Sequence, residues 1–407
     1  MDDPRWSKLQ RIPRKYVCRT DRRDTMPVKE ELVKFRIERD VLADAVTWVS
    51  RTLPSRVPFA ALAGVLVEAG DSGVSFTTTT QDTWSHNTED AVVGEPGTAL
   101  ISGRLLVEIA RSLPAQPVSF ALQTSGRVEV TCGASSFLLP TLPGEEYPPL
   151  PSLPDAVGSV DAVTFASAVA QVAVASASPD DRNHAYAGIR MEIEPDGRLT
   201  LAATDRYRLA VRELAWRPLA IEAPMAVTVP GRELVEATKA FADAGDVNVH
   251  LGDSDTSISL TASTRQTGLR LMDSAGFPKF RSLLPTQFVS QPEIEVAALK
   301  EALKRVSLVL HQDSAVRLVF SSDELVLRAG TGDEATATET IGCTLQGESL
   351  DVAFNPRFLA DGLSGLSEST ARLSLQSSEK AAVLTGIDPD GAGEVFRYLL
   401  MPVRLNR

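Results

Sequence analysis

Three stretches of this chain repeat one pattern at nearly equal steps, and this repetition limits the possible folds more than any other feature. Each stretch has two segments of alternating apolar residues around a turn rich in Gly, Asp, Ser or Pro, which is typical of a β-hairpin. Equivalent apolar positions are Val67, Ile193 and Phe320, so the steps are 126 and 127 residues. A constant period of this kind predicts three copies of one structural unit.

Two predicted helices recur in phase with the hairpins. The first opens each unit and has an apolar i, i+1, i+4 pattern. Its apolar positions are Ala45, Val46 and Val49; Ala168, Val169 and Val172; and Ala302, Leu303 and Val306. The second follows a strand and a tight turn, with equivalent arginines at Arg104, Arg232 and Arg357. Because hairpins separate the helices, we predict an α+β fold with antiparallel sheets and disfavour a doubly wound parallel sheet.

Two proline-rich stretches divide the repeats. Residues 140–158 and 277–295 contain several prolines, which fix the backbone and block ladder hydrogen bonds, so we interpret both as semi-rigid linkers. Residues 1–27 precede the repeats, show no clear periodicity and are interpreted as a mobile N-terminal extension. The predicted domains span residues 28–150, 151–285 and 286–407.

The charge and the cysteines restrict the class of protein. A formal net charge of -12 disfavours a simple coat on nucleic acid, although an acidic protein can still have a basic internal face. The scattered Cys18, Cys132 and Cys343 lack metal-ligand spacing and indicate free thiols in a reducing compartment. No apolar signal region is visible, and no apolar run approaches the roughly 18 residues that span a bilayer. We therefore expect a cytoplasmic protein without membrane contact.

No catalytic pattern is found in the sequence. It has no phosphate-binding loop, dinucleotide fingerprint, zinc-protease motif or serine-hydrolase motif. The four histidines, His86, His184, His250 and His311, lie far apart and are interpreted as surface or loop residues rather than catalytic bases. These observations predict a non-catalytic protein without metal or cofactor, although a fold alone never proves a function.

Five segments resemble the beta subunit of bacterial DNA polymerase III, the beta sliding clamp family. In order they are LPTLPGEEYPPLP (139–151), LAATDRYRLAVREL (201–214), FPKFRSLLP (277–285), AFNPRFLADGL (353–363) and YLLMPVRL (398–405). The resemblance covers about residues 33–407 and is to an actinobacterial-like member. It implies the DNA clamp fold, in which each of three domains has two helices on antiparallel sheets. Two chains would form a six-domain ring as a head-to-tail homodimer.

The resemblance also implies that the ring encircles duplex DNA without reading its sequence, through Lys and Arg on the inner helices. The candidate DNA-facing residues are Arg56, Arg111, Lys239, Lys300, Lys304 and Arg305. Ordinary solvated surface is the alternative interpretation of each. The predicted helix at 164–176 carries no charge, so the lining cannot be uniformly basic.

A second implied site is a partner pocket between the second and third domains. It would bind short apolar peptides of the DNA polymerase III catalytic subunit, clamp-loader subunits and other clamp-binding proteins. Apolar walls with an adaptable Met suit such ligands, and Arg208 and Arg404 could orient the peptide. The alternative for Leu209 and Leu405 is strand core. The candidate pocket residues are Tyr186, Thr204, Arg206, Tyr207, Arg208, Leu209, Pro278, Leu283, Asn355, Phe358, Met401, Pro402, Val403, Arg404 and Leu405.

Several positions depart from the family pattern. Tyr186 stands where Leu is expected at the pocket rim, Asp313 and Glu379 replace uncharged residues, and residues 77–89 lack the usual acidic turn. These departures suggest a specialised second clamp copy, for example one that resists a peptide antibiotic bound in the pocket.

Two other classes of function remain open at this point. One is a three-repeat scaffold that binds peptides and has no role on DNA. The other is an enzyme with a site between repeats, which the absence of a clustered acid–base set disfavours.

Overall fold

The computed structural model describes residues 33–181, 183–219, 221–251, 256–311, 314–330, 335–388 and 396–404. Our predictions for residues 1–27, Asp313 and Leu405 lie outside these ranges.

The first unit contains nine strands and two helices within the described residues. Helix α1 spans Arg39–Val49 and α2 spans Gly103–Ser112. Both bury one apolar face, with Leu42, Ala45 and Val46 on α1 fully enclosed. The strands are β1 (Lys34–Ile37), β2 (Gly64–Gly70), β3 (Gly73–Thr79), β4 (Thr83–Glu89), β5 (Val92–Glu95), β6 (Gly97–Ser102), β7 (Val118–Gln123), β8 (Arg127–Cys132) and β9 (Ser135–Pro140).

The second unit repeats this arrangement. Helix α3 spans Ala162–Ala173 and begins where the Asp161 carboxylate accepts a hydrogen bond from the Thr164 amide at 2.8 Å. Helix α4 spans Gly231–Ala240. The strands are β10 (Ala156–Asp161), β11 (Gly188–Ile193), β12 (Arg198–Thr204), β13 (Arg208–Ala215), β14 (Arg217–Pro218), β15 (Met225–Pro230), β16 (Asp246–Leu251), β17 (Ser257–Ala262) and β18 (Arg265–Arg270).

The third unit has the same elements in the same order. Helix α5 spans Val296–Val306. Helix α6 spans Pro356–Ser364 and starts at a capping Asn355 followed by a proline at its first position. The strands are β19 (Ser290–Glu295), β20 (Val316–Phe320), β21 (Glu324–Ala329), β22 (Ala337–Gly342), β23 (Thr344–Gly347), β24 (Asp351–Phe354), β25 (Thr370–Ser374), β26 (Ala382–Gly386) and β27 (Phe396–Leu400).

The strands form four antiparallel sheets, and two of these sheets run across unit boundaries. Their strand orders are β5-β1-β7-β8-β9, then β14-β10-β16-β17-β18-β4-β3-β2-β6, then β15-β11-β12-β13-β27-β26-β25-β19-β23, and β22-β21-β20-β24. Strand β4 pairs with β18, and β13 pairs with β27. The first and second units, and likewise the second and third, are therefore joined by continuous backbone hydrogen bonding.

The structure confirms the α+β prediction and the phase of the repeat. Arg104, Arg232 and Arg357 are each the second residue of their helix. The apolar positions of α1, α3 and α5 are all buried. Local periodicity identified these elements correctly because each helix and hairpin buries its own apolar face within its own unit.

Candidate functional site

A groove of about 290 Å³ lies where β13 of the second unit meets β27 of the third. Eight predicted pocket residues contribute to its wall, together with Ala381 and Leu399, which the sequence reasoning missed. Leu399 could have been found, because it lies two residues before Met401 and successive odd positions of a strand share one face. The wall residues are Tyr186, Thr204, Arg206, Arg208, Leu209, Pro278, Leu283, Ala381, Leu399 and Met401.

The floor of the groove belongs to a small apolar cluster on the outer face of the joint sheet. Leu209 is 1% exposed and packs with Ala202, Val211, Phe280 and Leu399. Leu209 is therefore both strand core and groove wall, so the two interpretations of this residue are compatible. The exposed side chains at the mouth, Leu283 and Met401, leave apolar surface available to a ligand.

The other six predicted residues within the described ranges form a shelf beside the groove. The rings of Tyr207 and Phe358 stack with centroids 6.5 Å apart. The amide of Met401 donates to the Tyr207 carbonyl at 2.9 Å, and the amide of Val403 donates to the Ala353 carbonyl at 2.8 Å. Asn355 uses its side chain to cap α6. The C-terminal segment is thus attached to both units, which places Pro402 and the exposed Arg404 next to the shelf.

The turn before β13 holds the rim of the groove in place. Asp205 accepts hydrogen bonds from the amides of Tyr207 and Arg208, each at 3.0 Å. Arg206 has a positive φ of 82°, which a non-glycine residue adopts only when such local bonds hold it. Its guanidinium pairs with Asp181 at 2.6 Å and lies 5.5 Å from the centre of the Tyr186 ring.

Arg208 is a buried residue of the groove wall. Its Nε binds Asp205 at 2.9 Å, its Nη1 binds Asp361 at 2.6 Å, and its Cζ lies 4.3 Å from the centre of the Phe358 ring. Burial acts to lower the pKa of Arg208, but Tyr398, Asp361 and Asp205 together raise it above its ordinary value. This network connects the two units through Nε and Nη1 of Arg208, and the role of this side chain in orienting a peptide stays a prediction.

The candidate DNA-facing residues all lie on helices or on a surface bend. Arg56, Arg111, Lys239, Lys304 and Arg305 are exposed, and Lys300 is half-buried. The six helices carry nine Lys/Arg and seven Asp/Glu, a net charge of +2, whereas the whole chain has -12. Positive charge is therefore concentrated on the helices relative to the rest of the chain.

Arg305 differs from the other candidates. Its Nε lies 3.0 Å from Glu339 on β22, a second nitrogen lies 2.5 Å from the same carboxylate, and Nη1 lies 3.5 Å from Glu301. The side chain is held against the sheet of its own unit.

The interpretation of the histidines as surface or loop residues is wrong for two of the four. His86 is half-buried within β4. His250 is buried within β16, where Nδ1 lies 2.9 Å from the Pro154 carbonyl and Nε2 lies 2.8 Å from the Thr261 hydroxyl. The burial of His250 could not be predicted from the sequence, because both hydrogen-bond partners come from other segments. In the described part of the chain, no three His, Cys, Asp or Glu side chains form a group that could hold a metal ion. Cys132 and Cys343 are free thiols.

Sequence comparisons assign every unit to one family. The DNA polymerase III beta subunit profiles match residues 33–151 (N-terminal domain), 159–279 (central domain) and 281–404 (C-terminal domain). The chain belongs to the DNA polymerase III beta subunit family, the beta sliding clamps. The members of this family are non-catalytic processivity subunits of a DNA polymerase in DNA replication.

Individual relatives agree with this membership. The beta sliding clamp of Streptomyces coelicolor is 43% identical over 381 residues, covering 92% of this chain and 100% of the relative. The beta sliding clamp homolog GriR of Streptomyces muensis is 43% identical over 384 residues, with the same coverage of both chains. A crystal structure of the Bacillus subtilis sliding clamp superposes with a TM-score of 0.84, covering 92% of this chain and 100% of that one. At 24% identity, that structure supports the clamp fold alone.

No helix within the described ranges combines the length and the hydropathy needed to cross a bilayer.

Proposed function

We propose that two copies of this chain close head to tail into a six-domain ring around duplex DNA. The groove between the second and third units would then hold peptides of the DNA polymerase III catalytic subunit, clamp-loader subunits and other clamp-binding proteins. A sliding clamp of this kind keeps a polymerase on its template because the closed ring surrounds the DNA, without catalysing a reaction.

The observation that carries the proposal is the repeated joint. Strand β4 pairs antiparallel with β18, and β13 pairs with β27. The first residues of β4 and β13, Thr83 and Arg208, face Leu269 and Leu400. The turns before them have equal positive φ angles, 83° at Gln81 and 82° at Arg206. The two joints therefore use the same elements in the same register.

The corresponding elements of the outer units are sheet edges in the single chain. Strand β22 is the third-unit equivalent of β4 and β13, and β9 is the first-unit equivalent of β18 and β27. The β22 edge of one copy can pair with the β9 edge of a second copy in the same way. Two copies then share two such joints, and their six units form a closed ring. Each copy also covers an otherwise open strand edge of the other.

The charge distribution fits a DNA tunnel. The helices carry a net charge of +2 within an acidic chain, which attracts phosphates to the inner face. Arg56, Arg111, Lys239, Lys300 and Lys304 are our candidates for phosphate contact. Because α3 carries no charge, the attraction is uneven and leaves the duplex free to slide.

The decisive experiment is loading onto a nicked circular DNA, followed by cutting of the circle. A ring stays on the closed circle and leaves once the DNA is linear. A protein that remains on linear DNA binds it without encircling it, and one that never associates is a peptide scaffold without a DNA role. Sedimentation should give about twice the chain mass for the free protein.

The rim of the groove supports a narrower proposal, a specialised clamp that resists a peptide antibiotic. The Tyr186 ring stands at the rim and is held by Arg206, which in turn pairs with Asp181. Glu379, two residues before the wall residue Ala381, is exposed and adds charge beside the mouth. The test compares the affinity of one pocket-binding antibiotic for this protein and for a housekeeping clamp. Equal affinities would remove the idea.

The domain boundaries are also a proposal, with divisions at residues 150 and 285. They are supported by the gaps between β9, which ends at Pro140, and β10, which starts at Ala156, and between β18 and β19. We propose a cytoplasmic location, since Cys132 and Cys343 are free thiols and replication takes place there.

A further inference from the structure

A side chain of one helix reaches a helix of the next unit at both joints within the chain. At the first joint, Trp48 Nε1 on α1 donates to the Ala240 carbonyl of α4 at 3.3 Å. At the second joint, Gln171 Nε2 on α3 donates to the Gly365 carbonyl after α6 at 2.8 Å. The same type of bond therefore fastens the helical layer wherever two units meet.

The two bonds use equivalent positions. Trp48 and Gln171 are each the tenth residue counted from the first residue of their helix. Ala240 and Gly365 are each the tenth residue counted from the first residue of theirs. The fold thus repeats the bond although the donor changes from an indole to an amide.

The third pair of positions is occupied by Arg305 and Ser112. Arg305 is the tenth residue of α5, and Ser112 is the tenth residue of α2. Both are exposed in the single chain, at the two ends that a second copy would join. We infer that Arg305 donates a hydrogen bond to the backbone carbonyl of Ser112 of the partner subunit. This inference rests on the proposed ring.

Two carboxylates of its own unit already orient the Arg305 guanidinium. Glu339 and Glu301 hold it from two sides, and a guanidinium has five N–H donors, so donors remain for a third acceptor. Glu339 lies on β22, the strand whose edge would join the partner. The ion pair therefore connects the helix and the strand that both take part in the joint.

Leu308 gives independent support for a covered surface at this place. It follows Arg305 by three residues and is 83% exposed, the most exposed large apolar side chain in the described part of the chain. The equivalent residue of the first unit is Arg51, which lies with Ala240 and Glu236 of α4 along the first joint. Leu308 is accordingly in position to meet α2 of the partner subunit.

The inference assigns Arg305 to the joint between subunits and not to the DNA surface. The two joints within the chain are fastened at this position by neutral groups, whereas the joint between subunits has a charged one. Hydrogen bonds from a charged donor are stronger than neutral ones and weaken as salt screens them.

The test is the dimer dissociation constant, measured by analytical ultracentrifugation of the full chain at low and high salt. Arg305→Ala should weaken the dimer by at least about tenfold, as expected for the loss of a charge-assisted hydrogen bond. Arg305→Gln should lose clearly less affinity than Arg305→Ala, because a neutral amide still makes this bond, as Gln171 does at the second joint, although more weakly than a charged donor. Arg357→Ala, which removes an exposed arginine from α6, is the control and should leave the dimer dissociation constant unchanged.

The outcomes separate this inference from the proposed function. If the unchanged protein stays single-chained at high concentration, the ring fails and the inference with it. If the unchanged protein dimerises and Arg305→Ala dimerises equally well, the ring stands and the Arg305 contact is wrong. If Arg305→Gln loses as much affinity as Arg305→Ala, the hydrogen bond to the carbonyl is likewise wrong.

Discussion

Arg208 Nη1 and Asp361 Oδ2 form an ion pair of 2.6 Å that crosses from the second unit to the third. Arg208 comes from β13, next to the groove, and Asp361 comes from α6, on the helical side of the same joint. The Tyr398 hydroxyl lies 3.3 Å from Arg208 and itself donates to the Phe358 carbonyl at 2.9 Å. The groove and the helical layer are thus connected through one buried network.

Arg208→Ala should lower the free energy of unfolding by about 3 kcal/mol, the usual cost of removing one partner from a buried pair. This value is at the low end of the range because the Asp361 side chain is 32% exposed and regains some hydration. Urea denaturation followed by tryptophan fluorescence measures the change. Arg357→Ala is the control, because Arg357 is an exposed arginine on α6, the helix that carries Asp361. Similar losses of unfolding free energy in both variants would mean that the ion pair contributes no special stability.

Gly268→Ala should destabilise the first joint. A Cβ at this position would lie 2.0 Å from atoms of the Trp84 indole, and Trp84 is itself buried. Overpacking of this kind costs about 1–3 kcal/mol. Thermal unfolding of the variant should begin at a lower temperature. Gly70→Ala, where a Cβ meets nothing within 4 Å, should be neutral or slightly stabilising; equal behaviour of the two variants would contradict this packing account.

Met401→Ala should weaken the binding of an apolar peptide roughly tenfold. Burial of a whole Met side chain contributes about 1.5–3 kcal/mol to binding, and truncation to Ala removes a part of this contribution. Met401 is 40% exposed at the mouth of the groove. Fluorescence anisotropy with a labelled peptide from the polymerase catalytic subunit gives the affinity. Val163→Ala, at an exposed valine on α3, should bind as the unchanged protein does. An unaffected Met401→Ala would exclude this groove as the peptide site.

Lys304→Ala should reduce retention on closed circular DNA and lower the salt dependence of binding by about one unit of slope, as expected for one phosphate contact. The dimer should remain intact, in contrast to Arg305→Ala. Retention on a nicked circle is measured at several NaCl concentrations. Lys34→Ala on β1 serves as the control for general loss of charge. An unchanged slope would show that Lys304 does not face the duplex.

In the His86→Gln variant, the melting temperature should fall less on acidification than it does in the unchanged protein. Burial lowers the pKa of His86, whose ring lies 2.9 Å from the Thr77 hydroxyl and 3.1 Å from that of Thr88. The unfolded chain then takes up a proton first as the pH falls below roughly 6.5, so the neutral imidazole's contribution to stability is lost on acidification. Melting temperatures at pH 7.5 and 5.5 measure the effect. An equal drop in both proteins would exclude His86 as a source of the pH dependence.

Residues 77–89 place a buried tryptophan at the first joint where the second joint has a leucine. Trp84 and Leu209 are each the second residue of their joint strand, and they face Gly268 and Leu399. At the first joint the indole packs on the glycine, whereas at the second joint the two leucines line the groove together with Met401. The contact between Trp84 and Gly268 is a structural reason for the departure at residues 77–89. It could not be found from the sequence, because Gly268 lies on a strand of the next unit.

The sequence by itself determined the period, the two helices and the hairpins of each unit, because alternation and helical spacing record which side of a short segment is buried. Resemblance of five segments to the clamp family supplied most of the groove. Only the tertiary structure decided which strand edges meet, that Arg208 points into the joint, and that Arg305 is held by Glu339, 34 residues away. The physical reason is range: local burial is encoded in neighbouring residues, whereas pairing between units depends on side chains that come together only after each unit has folded.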